Sequence, residues 1–143
     1  MERANVVKLN SDEVLLLARM FEFPFDDECR FAKKLLDLHK NLELVCITRG
    51  AEGCLAVACD EAVELPGHPV EVVDTVGAGD AFTAAVIFGR IRGWPLQKTI
   101  DLANRFGSLV AGRAGAMPPL VTELKELIAE LDWSYRETPR LGA

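Results

Sequence analysis

Val70-Glu71-Val72-Val73-Asp74-Thr75-Val76-Gly77-Ala78-Gly79-Asp80-Ala81-Phe82 is the stretch from which the fold of this 143-residue chain is read. Val70 to Asp74 is rich in β-branched residues and reads as a strand. A loop of small residues follows, and an apolar pattern at helical spacing starts at Ala81. A small-residue loop between strand and helix leaves free backbone N–H groups at the helix start. With the helix dipole, those groups make a site for phosphate oxygens. Asp80 stands where a proton acceptor can meet an incoming hydroxyl. The segment therefore reads as phosphoryl-transfer machinery, because that chemistry needs positioning and charge stabilisation more than covalent help. Gly77 and Gly79 permit close backbone approach, and Ala78 to Asp80 supply the amides. A tight turn with a capping aspartate is the rival reading and would be preferred for Gly-x-Gly alone; the full run Asp74 to Asp80 between strand and helix favours the functional one. Two rival phosphate motifs fail: Phe82 stands where a dinucleotide fingerprint has Gly or Ala, and the chain has no Gly-Lys-Ser/Thr tripeptide.

Working outward, Ala4 to Leu9 reads as a strand, and Asn10 or Ser11 caps a helix to about Met20. Phe23-Pro24-Phe25 breaks it. Asp26 or Asp27 caps a second helix to about His39, with Phe31, Leu35 and Leu38 on one face. Leu42 to Thr48 is a continuous apolar run, as in a strand buried on both faces. Gly53 to Cys59 and Ala62 to Leu65 read as further strands before the Pro66-Gly67-His68-Pro69 turn. Helices are expected over about Ala78 to Arg92, Pro95 to Ala114 and Val121 to Leu131, with Pro95 at the first helical position. Alternating strands and helices predict a layered α/β fold, a mostly parallel sheet flanked by helices. The strands in series from Leu42 to Val73 leave room for antiparallel pairing. One domain over residues 1–132 is expected, with 133–143 a loose tail. Trp94 and Trp133 read as packing residues.

Composition narrows the function. With 50% apolar residues the chain can bury a core, and its formal charge of -6 without a basic cluster argues against nucleic acid or an anionic membrane surface. No apolar stretch is long enough to span a bilayer, and no signal peptide is read at Met1-Glu2-Arg3. Cys29, Cys46, Cys54 and Cys59 lack C-x-x-C spacing, and His39 and His68 fit no zinc pattern. Buried free thiols in a reducing cytoplasm are expected.

Asp74-Thr75-x-Gly77-Ala78-Gly79-Asp80 resembles the signature of the ribokinase-like (pfkB) carbohydrate kinases, and the other motifs fall in matching order. Asn10-x-x-Glu13 resembles the family's Asn-x-x-Glu. Thr48-x-Gly50-x-x-Gly53 resembles its Thr-x-Gly-x-x-Gly, and Gly115-Ala116 a Gly-Ala pair near the family's end. The match runs from roughly Val6 to Leu131 and corresponds to the C-terminal half of such a kinase. The resemblance implies transfer of the γ-phosphoryl of Mg-ATP to a sugar hydroxyl. It implies Asp80 as the base, with Gly77, Ala78 and Gly79 forming the anion hole. Thr48, Gly50 and Gly53 would meet nucleotide phosphates, and Asn104 falls where relatives approach the adenine. On its own, Asn104 reads as a surface helix residue. Asn10 and Glu13 would organise Mg2+ and its water shell, yet a short polar residue three before Glu is also a capping box, and both readings stay open. A potassium ion (K+) would draw on Asp74, Val76, Val110, Arg113 and Gly115, since hard cations want oxygen ligands. Pro118-Pro119 stand where a side-chain hydroxyl often completes that ring.

The family grips its sugar mainly through an N-terminal half that this sequence lacks. Positioning is worth roughly 7–11 kcal/mol at the extreme, so the fragment alone is expected to be nearly inactive. An uncovered sheet edge seeks pairing, so self-association, or union with the missing half, is expected. The alternative is a truncated module that binds nucleotide or a partner without catalysis. Ala78 favours the sugar branch over a vitamin-type kinase, and a hexose-type substrate is preferred.

Overall fold

The computed structural model describes residues 3–136. The chain forms two compact units that divide after His68.

In the first unit, β1 (Val6–Asn10) leads into helices α1 (Ser11–Met20) and α2 (Glu28–Leu38), then strands β2 (Leu44–Thr48), β3 (Cys54–Ala58) and β4 (Ala62–Leu65). The strands form a sheet of order β1-β2-β3-β4. β1 and β2 pair parallel, whereas β2–β3 and β3–β4 are antiparallel. The expected mostly parallel sheet is thus corrected to a mixed one. Connection length explains the difference. A parallel pair needs a long crossover, and only β1 and β2 have one, through α1 and α2. The turns over 49–53 and 59–61 are too short for anything but hairpins.

Both helices start where the capping residues predict. Asn10 accepts from the Glu13 amide and its own amide donates to Glu13, a complete capping box. Asp27 accepts from the Arg30 amide. Val14 and Ala18 of α1 and Phe31, Ala32 and Leu35 of α2 pack with Val45, Ile47, Leu55 and Val57 of the sheet. Leu44 to Ile47 are all fully buried, as the continuous apolar run predicts. Burying such side chains contributes about 1.5–3 kcal/mol each.

The second unit holds α3 (Ala78–Ile91), α4 (Leu96–Ala111) and α5 (Val121–Ser134). The strand expected over Val70–Asp74 does not form. The amides of Val73 and Asp74 both donate to the Ala111 carbonyl, at 2.9 and 3.1 Å. The segment satisfies an orphan carbonyl at the end of α4 instead of a sheet ladder, and Val72 and Val73 stay exposed. α4 accordingly stops before Ala114, and Pro95 sits one position outside it as the cap residue. α5 runs past Leu131 to Ser134, so residues 133 and 134 of the expected tail are helical; residues 137–143 of it lie outside the described residues. Trp133 is exposed rather than packed, while Trp94 meets Phe88 edge-on at 5.4 Å.

Two glycines set the antiparallel α3–α4 contact. A Cβ on Gly89 would stand 2.5 Å from the Thr99 hydroxyl, and one on Gly107 3.3 Å from the Ala78 carbonyl. Phe82 and Val86 of α3 are buried, whereas Ile87 is exposed. Lys98, only 6% exposed, fastens α4 to α5. Its ammonium lies 2.5 Å from Asp132 Oδ1 and 3.7 Å from the Trp94 ring centre.

Among the described residues, no helix is long and apolar enough to cross a membrane. All four cysteines are free, but only Cys46 and Cys54 are buried; Cys59 is exposed.

The hydrogen bond from Lys98 holds the Asp132 carboxyl below its ordinary value of 3.8. A lowered folded value means the pair stabilises the fold fully above that ordinary value and loses its effect as pH falls through the folded one. Asp132→Asn should therefore lower the melting temperature by several degrees at neutral pH. The difference from the unaltered protein should shrink once melts are run in acid below the ordinary carboxylate range.

Candidate active site

The sequence-predicted residues fall into two groups, one in each compact unit. In the first unit, Asn10 ends β1 and Thr48 ends β2, and the two are register partners across the parallel pair. Ligands of open α/β sheets bind outside the carboxyl ends of such strands. The Thr48 hydroxyl donates to the Leu9 carbonyl at 3.4 Å. After Thr48 the chain makes a single 3-10 turn over Gly50–Glu52. Gly53 has φ +98°, and a Cβ there would stand 2.0 Å from the Leu65 carbonyl, so only glycine fits. The exposed Glu13 accepts the Asn10 amide with Oε2 at 2.7 Å. The capping reading of Asn10 and Glu13 is therefore realised in the fold, with Glu13 Oε1 left over for other work.

In the second unit, Gly77 caps α3 with φ +84°. A Cβ on Gly77 would lie 2.3 Å from the Ala116 carbonyl, so the left-handed turn and the close approach both demand glycine. Of the three amides expected to be free, that of Ala78 donates to the Thr75 carbonyl at 3.3 Å. Ala81 donates to the Gly77 carbonyl. The amides of Gly79 and Asp80 have no acceptor among the described residues, which is the normal state of a helix mouth. Asp80, the third residue of α3, is exposed. The carbonyl of Gly79 accepts from the Thr83 hydroxyl at 2.9 Å.

Asp74 organises the surrounding loops. Its Oδ1 accepts from the Val76 amide at 3.0 Å and its Oδ2 from the Gly115 amide at 3.2 Å. The Val110 carbonyl accepts from the Arg113 amide at 3.0 Å. Of the five residues expected around a cation, Asp74 holds Val76 and Gly115 together, and Arg113 folds back on Val110. Asn104 is a buried residue of α4, 7% exposed, and not the surface position its sequence context suggests. Among the described residues, no cluster of three or more His, Cys, Asp or Glu side chains could hold a metal ion.

Sequence reasoning gave no role to Arg49, which reaches two carboxylates. Its Nε is 2.5 Å from Glu28 Oε2, and its Nη1 bonds Glu64. The hydrogen bond to Glu64, then that to Glu28, raises the guanidinium pKa, while burial acts the other way. One charged residue inside a glycine loop carries no sequence signal of such partners.

Known proteins resemble this chain. The model of the pfkB family carbohydrate kinases matches residues 1–123. A probable chloroplastic fructokinase-6 of Arabidopsis thaliana is 34% identical over 136 residues, which are 90% of this chain and 34% of that protein. A ribokinase of Thermotoga maritima superposes with a TM-score of 0.78 at 24% identity, over 90% of this chain and 43% of that one. A putative ribokinase II of E. coli, solved in complex with ATP and Mg2+, superposes with a TM-score of 0.75 at 28% identity, over 90% and 40%. The chain thus spans between a third and a half of the length of these relatives.

The two glycine constraints predict different costs. Gly115 also has a positive φ, +84°, but nothing lies within 4 Å of its would-be Cβ. Gly115→Ala should cost about 1 kcal/mol from backbone strain alone. Gly77→Ala adds the clash with Ala116 and should cost roughly 2–4 kcal/mol. Urea denaturation of the two variants gives the comparison, and equal costs would contradict the close packing of Gly77.

Proposed function

The chain belongs to the pfkB family of carbohydrate kinases, and we propose that it is the C-terminal, nucleotide-handling part of an ATP-dependent sugar kinase. The observation that carries this reading is the mouth of α3. Two unpaired amides, from Gly79 and Asp80, lie beside an exposed carboxylate on the same turn. Amides fixed by the fold suit an anion whose charge grows during transfer, because they need no reorganisation at that moment. Gly77, Ala78 and Gly79 shape this anion hole, with the Ala78 amide partly engaged by Thr75. Asp80 takes the proton of the acceptor hydroxyl as transfer proceeds.

The first unit contributes the nucleotide side of the proposal. Thr48 ends a parallel strand, and Gly50 and Gly53 flank the turn that follows it, a fit for phosphates; in the second unit, Asn104 is assigned to the adenine end. Glu13 keeps one carboxylate oxygen outside its capping box, which suits the water shell of Mg2+; the ion would neutralise phosphate charge. For K+, the assignment is Asp74 with the carbonyls of Val76, Val110, Arg113 and Gly115. Its support is that one carboxylate already holds two of these loops together. A ketohexose is the proposed acceptor, after the name of the fructokinase relative. The cytoplasm is the proposed location.

The matched 34% of that relative favours a second reading, in which the chain binds nucleotide or a partner without turnover. It also suggests that the rest of a kinase, or a second copy of this chain, completes the site. β1 is an edge strand with β2 as its neighbour, and Leu16 and Met20 on the adjoining helix are exposed.

A titration with Mg-ATP tests nucleotide binding, and a coupled assay with fructose or ribose tests turnover. Phosphorylation by this chain alone would rule out the binding-only reading. In any assembly that turns over, Asp80→Asn should reduce kcat by about 10²–10⁴ with little change in Mg-ATP affinity. An unchanged rate would remove Asp80 as the base.

A further inference from the structure

Arg49 sits inside the Thr48–Gly53 loop, and its backbone closes that loop from both sides. Its amide donates to the Gly53 carbonyl at 2.8 Å, and its carbonyl accepts from the Glu52 amide at 3.1 Å. Its side chain, one-fifth exposed, leaves the loop and forks between two elements of the same unit. Nε donates to Glu28 Oε2 at 2.5 Å, and Nη1 to Glu64 of β4. Glu28, the first residue of α2, accepts from the Ser11 hydroxyl at 3.0 Å with its other oxygen. Ser11 in turn opens α1 directly after Asn10. One guanidinium therefore links the loop to β4, to the start of α2 and, through Glu28, to the start of α1.

The loop needs such a restraint. Gly50 and Gly53 both hold positive φ, +58° and +98°, and glycine is the residue with most conformational freedom to lose. An isolated surface ion pair would contribute little. Here the Glu28 carboxylate is only 17% exposed, and two separate N–H groups of a planar fork are used. A lysine has one ammonium and cannot reproduce that geometry.

We propose that Arg49 is a positioning residue for nucleotide binding, its fork onto Glu28 and Glu64 presetting the Thr48–Gly53 turn for the phosphates of Mg-ATP. The inference rests on the reading of that loop as a nucleotide site. Ordering the loop in advance removes a cost otherwise met on binding.

Calorimetric titration with Mg-ATP, well below the melting temperature, tests it on the unaltered chain and on R49M, R49K and E64Q. R49M should weaken binding about tenfold, the loss expected of a charge-assisted contact. R49K should recover only part of this. E64Q takes the charge off one arm at an exposed partner, so it should fold even if R49M does not, and should weaken binding by a smaller factor. Amide hydrogen exchange over residues 50–53 should quicken in the same order without nucleotide. A merely stabilising arginine would lower the melting temperature yet leave the Kd of the folded variants unchanged. Affinities within about twofold of the unaltered chain, or unaltered exchange in the loop, overturn the proposal and leave the nucleotide site standing. Failure of the unaltered chain to bind Mg-ATP overturns the site reading and this inference together.

Discussion

The Asp74 carboxylate is the constraint on which the mouth of α3 depends. One oxygen accepts from Val76 and closes the turn into the glycine loop; the other accepts from Gly115 and draws in the loop after α4. Charge-assisted bonds of this kind are stronger than neutral ones. With both in place, Gly77 lies so close to Ala116 that no side chain fits between them. Its left-handed conformation then turns the chain into α3 with the amides of Gly79 and Asp80 unclaimed. Asp74 and Asp80 thus have different work: one shapes the loop, the other stands exposed beside the amides.

A polar capping group also marks the first unit. Asn10 and Glu13 satisfy orphan donors at the start of α1, yet both lie at the carboxyl end of a parallel strand pair, where backbone and side chains are within reach of a ligand. A capping box contributes on the order of 1 kcal/mol. The same hydrogen bonds that hold the helix also fix where the Glu13 carboxylate stands. The capping box uses Glu13 Oε2 and leaves Oε1 outside it.

Behind the loops, the helices of the second unit are held by shape and by one buried charge. Gly89 and Gly107 let α3 and α4 approach backbone to side chain. Lys98 is nearly removed from water, which is unfavourable for an ammonium unless it is paired. Asp132 and the face of Trp94 meet that need. The start of α3 thereby belongs to a packed helical hairpin rather than to a free loop.

Local chemistry determined what was legible in the sequence. Both caps of the first unit, the buried run Leu44–Ile47, the three C-terminal helices and the glycine loop follow from short-range rules: side chains that bind nearby amides, periods of two or 3.6, and glycine where φ is positive. What these rules could not supply is the identity of distant partners. Val70–Asp74 has the composition of a strand, but its amides go to the end of α4, a partner 37 or more residues away in sequence. Asn104 looks like a surface residue and is buried; Arg49, to which the sequence assigned no role, ties its loop to α2 and β4. The direction of strand pairing likewise followed from connection length rather than from strand composition. Sequence by itself determined most of the elements and the glycine turn at the mouth of α3, because hydrogen bonds a few residues apart set them. Tertiary structure decided which loops meet and which charges are fastened, because those outcomes depend on free energies shared between residues far apart in the chain.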